Sequence, residues 1–176
     1  YVNYGTKGDF EKLGELGVSC KGKIVLARYG GNYRGYKVKF AEQAGALGVI
    51  IFTDPGDSGF VQGPVYPEGG YASECCIQRG SVLTLGYQGD PLTPGVEATL
   101  DAPRLKQEQT LMPRITCQPI GYMAAREILK RMNGVKAPKD WQGGLGFEYA
   151  LSCVQLKVRL VVKQVREVTK TANVIA

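Results

Sequence analysis

Two compact apolar runs, "GKIVLARYG" and "GVIIFTD", stand close together in the chain with room for one helix between them. Each is short, glycine-bounded and continuously apolar, the pattern of a strand buried on both faces. From Tyr36 onward Val38, Ala41 and Gly45 recur at helical spacing, with Lys37, Lys39 and Glu42 assigned to the opposite, solvated side. The helix should stop near Gly45 to Gly48, because glycines end helices and the turn cluster "DPGDSG" follows the second run. Strand, helix and strand in this order predict two parallel strands joined by a right-handed crossover. The expected class is therefore α/β, with a central mixed sheet and two or three helices.

The loop "YGGNYRG" between the first strand and the helix has the general look of a phosphate cradle, and its spacing argues against one. A P-loop needs GxxxxGK followed by Ser or Thr; here Gly30 and Gly35 are followed by Tyr36 and Lys37, so the lysine is displaced and the hydroxyl is missing. A dinucleotide fingerprint needs GxGxxG, and "GGNYRG" has the wrong first interval. What the loop does carry is Arg34, whose planar guanidinium matches a carboxylate through two parallel hydrogen bonds. On spacing alone, a solvated loop charge is the better account of Arg34.

The remaining elements are read from local signals. Thr6 and Asp9 in "TKGDFEKLGELGV" have capping-box spacing, with Phe10 and Leu13 on one face of a short helix. Residues 55–115 are rich in Gly, Pro and Tyr and predict loops and short strands, with "GDPLTPG" as a rigid turn. The run "IGYMAAREILKRMNG" places Ile120, Met123, Ala124, Ile128 and Met132 on one helical stripe, ended by Asn133 and Gly134. In "VQLKVRLVVKQV", Val154, Leu156, Val158, Leu160 and Val162 alternate with mostly polar residues, which predicts a long strand with one buried face. Trp141, Tyr122 and Met123 read as core or hinge packing.

Composition narrows the chemistry. The chain has 176 residues, 44% hydrophobic and 22% charged, and is read as one domain over 1–176. It opens on tyrosine, so we expect a segment excised from a longer chain, with no signal peptide or membrane-spanning run of its own. It contains no histidine, which removes Ser-His-Asp and Cys-His nucleophiles and the commonest neutral zinc ligand. The five cysteines lack Cys-x-x-Cys spacing and are expected to be free thiols. The net charge is +6, and residues 121–176 alone carry a surplus of that size. This reads as a solvated face on a helix and the last strand, so nucleic acid is not an expected partner.

Several pieces occur in one order: "YVNYGTKGDFEKL", "GKIVLARYGGNYRGYKVKFAEQAGALGVIIFTDP", "YPEGGY", "IQRGSVL", "GDPLTPG", "QPIGYMAAREIL" and "APKDWQGGL". Together they resemble the apical, protease-associated domain of the glutamate carboxypeptidase II / transferrin receptor family, along essentially the whole chain. The resemblance implies a swivelling β/β/α domain. It also implies a non-catalytic role, covering the active-site cleft of a zinc exopeptidase and helping to bind the C-terminal carboxylate of peptide substrates. In the carboxypeptidase branch the arginine of "YGxxxRG" reaches that carboxylate, and Arg34 stands at its position. Two departures follow: a position commonly basic is Gly31 here, and an asparagine found after "QRG" in glutamate-preferring members is Ser81. Ser81 can still donate one hydrogen bond, so the resemblance implies recognition of a free C-terminus without specifying glutamate. It further implies that the backbone carbonyls of Thr93 and Val96 help hold an interdomain calcium ion, completed by carboxylates of the peptidase domain. Zinc would lie in that domain, and "TANVIA" resembles the hinge leading back to it. The expected partners are peptide substrate and the chain's own peptidase domain, within a homodimeric parent on the secretory or luminal side, secreted or membrane-anchored. The alternative within the family is a transferrin-receptor-like apical domain that binds proteins and belongs to no peptidase.

Overall fold

The structure, a computed structural model, describes residues 1–84, 86–165, 167, 169, 170, 172, 174 and 175. Three strands, β1 (Ile24–Arg28), β2 (Gly48–Phe52) and β3 (Thr116–Ile120), pair in parallel in that order. The register sets Arg28 opposite Phe52 and Phe52 opposite Ile120, so the three carboxyl ends lie level. All five residues of the central β2 are buried, which is why it reads as an unbroken apolar run. The backbone of the first residues runs along the outer edge of β1: Val2 N–H donates to the Leu26 carbonyl at 3.0 Å, and Arg28 N–H to that of Asn3 at 2.9 Å.

Helix α1 (Lys7–Glu15) begins with the capping box that its sequence announced. The Thr6 hydroxyl accepts from Asp9 N–H at 3.1 Å, and the Asp9 carboxylate accepts from Thr6 N–H at 2.9 Å. A cap of this kind contributes about 1 kcal/mol. Helix α2 (Arg34–Gln43) is the crossover between β1 and β2 and packs on β2, with α1 against it. Helix α3 (Tyr122–Leu129) follows β3 directly. Val25, Leu26, Val38, Ala41, Val49, Ile51, Leu13 and Leu129 make the centre of the core. The α/β class read from the sequence is what the structure shows, with three helices and a sheet whose described strands are all parallel.

Four local expectations need correction. Lys37 is not on a solvated face; it is 1% exposed, for a reason given below. In α3 the buried stripe is Tyr122, Ala125 and Leu129, whereas Met123 and Ala124 are exposed, so the apolar face is rotated from the one expected. The helix also ends at Leu129, before the Asn133–Gly134 signal, because Lys130 already serves as its cap. Residues 55–115 contain turns, one short 3-10 helix at Gln107–Gln109 and an isolated bridge between Val65 and Tyr71, but no extended strand among the described residues. Finally, residues 154–162 form no strand. Alternation makes a segment able to pair, but pairing also needs the chain to be brought alongside an edge; the outer edge of β1 is occupied by Val2 and Asn3, and no ladder joins this segment to β3 among the described residues. Leu160 is partly buried and packs against the core close to Gly48, while Val154 is 82% exposed. Of "TANVIA", the expected hinge, Thr171, Asn173 and Ala176 lie outside the described residues. Among the described residues no helix is long and apolar enough to cross a membrane.

Beyond the sheet, one carboxylate ties the end of β2 to a distant segment. Asp54 is fully buried and accepts from Gly56 N–H at 2.8 Å, Gly144 N–H at 2.7 Å and the Tyr149 hydroxyl at 2.6 Å. A buried charge is tolerated only when hydrogen-bonded in this way. Asp54→Ala is expected to lower the unfolding free energy by about 3 kcal/mol, since it strands one buried donor and two part-buried ones. Tyr149→Phe should cost about 1.5–3 kcal/mol, the range for one bond to a charged group. Urea denaturation of both variants measures this, and a loss below about 1 kcal/mol for Asp54→Ala would refute the assignment.

Candidate functional site

In parallel sheets, ligands gather at the carboxyl ends of the strands, and the loop that leaves β1 there is held unusually well. Gly30 and Gly31 adopt φ of 102° and 73°, left-handed conformations that other residues resist. This turn lets the chain fold back so that Asn32 bridges to Gly30. From the first turn of α2, Lys37 reaches back toward the N-terminus, the direction in which helical side chains point. Its ammonium donates to the carbonyl of Tyr4 at 2.5 Å, that of Gly30 at 2.6 Å and Asn32 Oδ1 at 2.8 Å. Three protons thus meet three acceptors. Asn32 Nδ2 in turn donates to the Gly5 carbonyl at 3.2 Å.

A second network braces the same end of the sheet. Arg28, also buried, donates to Asn3 Oδ1 from Nε at 3.1 Å and from Nη2 at 2.8 Å. Its Nη1 lies 3.4 Å from Asp57 Oδ2, and its guanidinium stacks over the Tyr4 ring at 4.0 Å. The Tyr4 hydroxyl donates to Asp57 at 2.6 Å; burial and this bond together push the phenol up to about 12.

Arg34 is the first residue of α2. Nothing acidic lies in that first turn, so the positive end of the helix dipole and the guanidinium act together on one side of the loop. Opposite it runs the segment 78–84, latched by two phenols: Tyr29 Oη donates to the Gln78 carbonyl at 2.7 Å and Tyr33 Oη to that of Ser81 at 2.7 Å. The Val82 carbonyl comes so close to Gly35 that a Cβ there would lie 2.6 Å from it. Arg34 is half-buried between these walls, 5.1 Å from the Tyr33 ring centre. Its Nε is buried without a hydrogen-bond partner among the described residues, and the guanidinium makes no ion pair with them. A half-buried cation left unpaired in this way can take a carboxylate.

Of the residues that the sequence pointed to, Arg34 and Ser81 come together at this site. Ser81 sits on the latched segment; its Oγ accepts from Leu83 N–H at 3.1 Å, and its proton remains able to donate. Gly31, which replaces a commonly basic position, could not carry a long side chain easily: a Cβ would meet Tyr4 Cβ at 2.8 Å. Thr93 and Val96 lie apart, in one turn where Val96 N–H donates to the Thr93 carbonyl at 3.3 Å. Thr93 is buried with its hydroxyl unpaired among the described residues, and Val96 is exposed. Two neutral carbonyls fall well short of the six to eight oxygens calcium takes. Among the described residues no three His, Cys, Asp or Glu side chains come together. Lys37, Tyr29, Tyr33 and Gly80 were not picked out from the sequence. For Lys37 a signal existed, a lysine one turn into a helix that follows a glycine loop.

Residues 1–85 match the family described as the PA domain. The chain is 39% identical over 154 residues to a "Glutamate carboxypeptidase 2 homolog" of Caenorhabditis elegans, 83% of this chain and 20% of that protein. It is 39% identical over 155 residues to "Aminopeptidase NAALADL1" of Mus musculus, 86% of this chain and 20% of that protein. A "Probable glutamate carboxypeptidase" of Arthroderma benhamiae is 44% identical over 161 residues, 85% of this chain and 22% of that protein. The chain thus spans about a fifth of the length of the curated relatives it matches.

The clamp carries a pH signature. Burial lowers the Lys37 pKa from 10.5 to about 8, with Asp9 and Asp57 pulling it upward and Arg28 pushing it down. Between those two values the unfolded chain holds more protons than the folded one. The lysine's contribution to stability therefore grows as pH rises across this window and is lost as pH falls through 8. Urea denaturation at about pH 7 and about pH 10 should show the native protein gaining on Lys37→Met at the higher pH. A difference between the two proteins that does not change with pH would contradict this.

Proposed function

Since the chain carries a PA domain and, over most of its length, resembles part of the glutamate carboxypeptidase-like proteins, we propose that it is the substrate-gating domain of a zinc exopeptidase, itself non-catalytic. In this reading it covers the active-site cleft and binds the C-terminal carboxylate of a peptide. The observation that carries the reading is Arg34, a guanidinium braced on two sides, with no hydrogen bond or ion pair to the described residues. Ser81, which follows Gly80 in the chain, would add one hydroxyl donor. Zinc, where bound in the longer protein, would supply an activated water; this chain's part is to hold the far end of the substrate and so fix its position. Calcium at the Thr93–Val96 turn belongs to the same proposal, with its charged ligands coming from the peptidase domain. So do the secretory or luminal setting and a homodimeric parent.

Arg34→Ala in the full-length protein is expected to raise KM for peptides with a free C-terminal carboxylate by about 10- to 100-fold, the equivalent of about 1.5–3 kcal/mol for hydrogen bonds to a charged group. The turnover number should change little, and C-terminally amidated peptides should be indifferent to the substitution. An unchanged KM for the free acid would remove Arg34 from this role.

A further inference from the structure

We infer that Gly80 is a positioning residue for Arg34: the missing side chain at 80 leaves the berth in which the guanidinium lies. The inference deepens the carboxylate-binding reading and rests on it for its catalytic consequence. A Cβ built on Gly80 would stand 1.9 Å from Arg34 Nη2, 2.3 Å from Cζ and 2.6 Å from Nε, and those three are its nearest neighbours. No backbone atom is among them. Gly80 also lies outside the left-handed glycines of the chain, which include Gly30, Gly31 and Gly45. Its backbone therefore accepts a side chain without strain, and the space beside it is the reason for glycine.

The consequence is specific. The three atoms nearest to an alanine Cβ at 80 all belong to the far end of a flexible side chain, so the fold is expected to survive with Arg34 displaced. Moving the segment that bears Gly80 aside would break the contacts that hold it. It is latched on both flanks, by Tyr29 on the Gln78 carbonyl and by Tyr33 on the Ser81 carbonyl, and Val82 rests on Gly35. The tyrosines hold the wall, and Gly80 hollows it where the guanidinium sits. Arg34 Nε faces this surface without an acceptor, so its pose comes from shape, not from a hydrogen bond.

Two measurements test this separately. In the chain itself, the Arg34 Nε–Hε cross-peak, assigned by its loss in Arg34→Lys, should shift in Gly80→Ala. It should stay in place in Gly8→Ala, where a new Cβ meets nothing within 4 Å. An unmoved cross-peak in Gly80→Ala overturns the inference whatever Arg34 does in catalysis. In the full-length protein, Gly80→Ala should raise KM for free-acid peptides about tenfold with little change in kcat, and should add nothing in an Arg34→Ala background. Tyr29→Phe, which frees one latch, should raise KM by a smaller factor. If Arg34→Ala raises KM and Gly80→Ala does not, the positioning role is wrong. If neither does, while the cross-peak moves, Gly80 keeps its structural role and the carboxylate reading falls.

Discussion

Three hydrogen bonds from one buried ammonium converge on the loop before α2 and on the segment that runs beside β1. Lys37 joins the carbonyl of Tyr4, the glycine turn at Gly30 and the side chain of Asn32 to the first turn of α2. Burying a charge is costly unless every proton finds an acceptor. Here all three do, which offsets part of a burial cost that still lowers the Lys37 pKa to about 8, and the three bonds fix the geometry around the ammonium. The loop before α2 therefore has one shape, and Arg34, which follows it, has one origin.

The same end of the sheet shows a division of labour among cations. Arg28 and Lys37 are buried and every one of their side-chain nitrogens has a partner, Asn3 and Asp57 for the one, carbonyls and Asn32 for the other. They brace the framework. Arg34 is half-buried and unsatisfied among the described residues, at a helix end with no acidic neighbour in its turn. Electrostatically it is the one that has something left to give to a ligand. The two phenols on the opposite segment and the hollow at Gly80 make its position a matter of steric fit.

Much of the framework was legible because its signals are local. The capping box at Thr6 and Asp9 needs only neighbouring residues, and β2 shows itself as an apolar run because both its faces are covered. Alternation in 154–162 was equally clear, yet no strand forms there, because pairing needs the chain to be brought alongside an edge and local pattern cannot say whether it is. The rotated face of α3 has a similar origin: Met123 and Tyr122 are both apolar enough to be buried, and the packing chose Tyr122. Arg34 and Ser81 were reached through motif order, not through periodicity or spacing.

What the sequence by itself determined is the parallel strand–helix–strand unit, the failure of the loop to meet either phosphate fingerprint, and the presence of an arginine where the loop ends. These follow from short-range hydrophobic pattern and from glycine spacing. Only the tertiary structure decided that Lys37 turns inward, that Tyr29 and Tyr33 pin the segment 78–84, and that Gly80 makes room for Arg34. Each of these depends on contact between residues far apart in the chain, and an isolated lysine or glycine carries no local mark of the surface that it will meet.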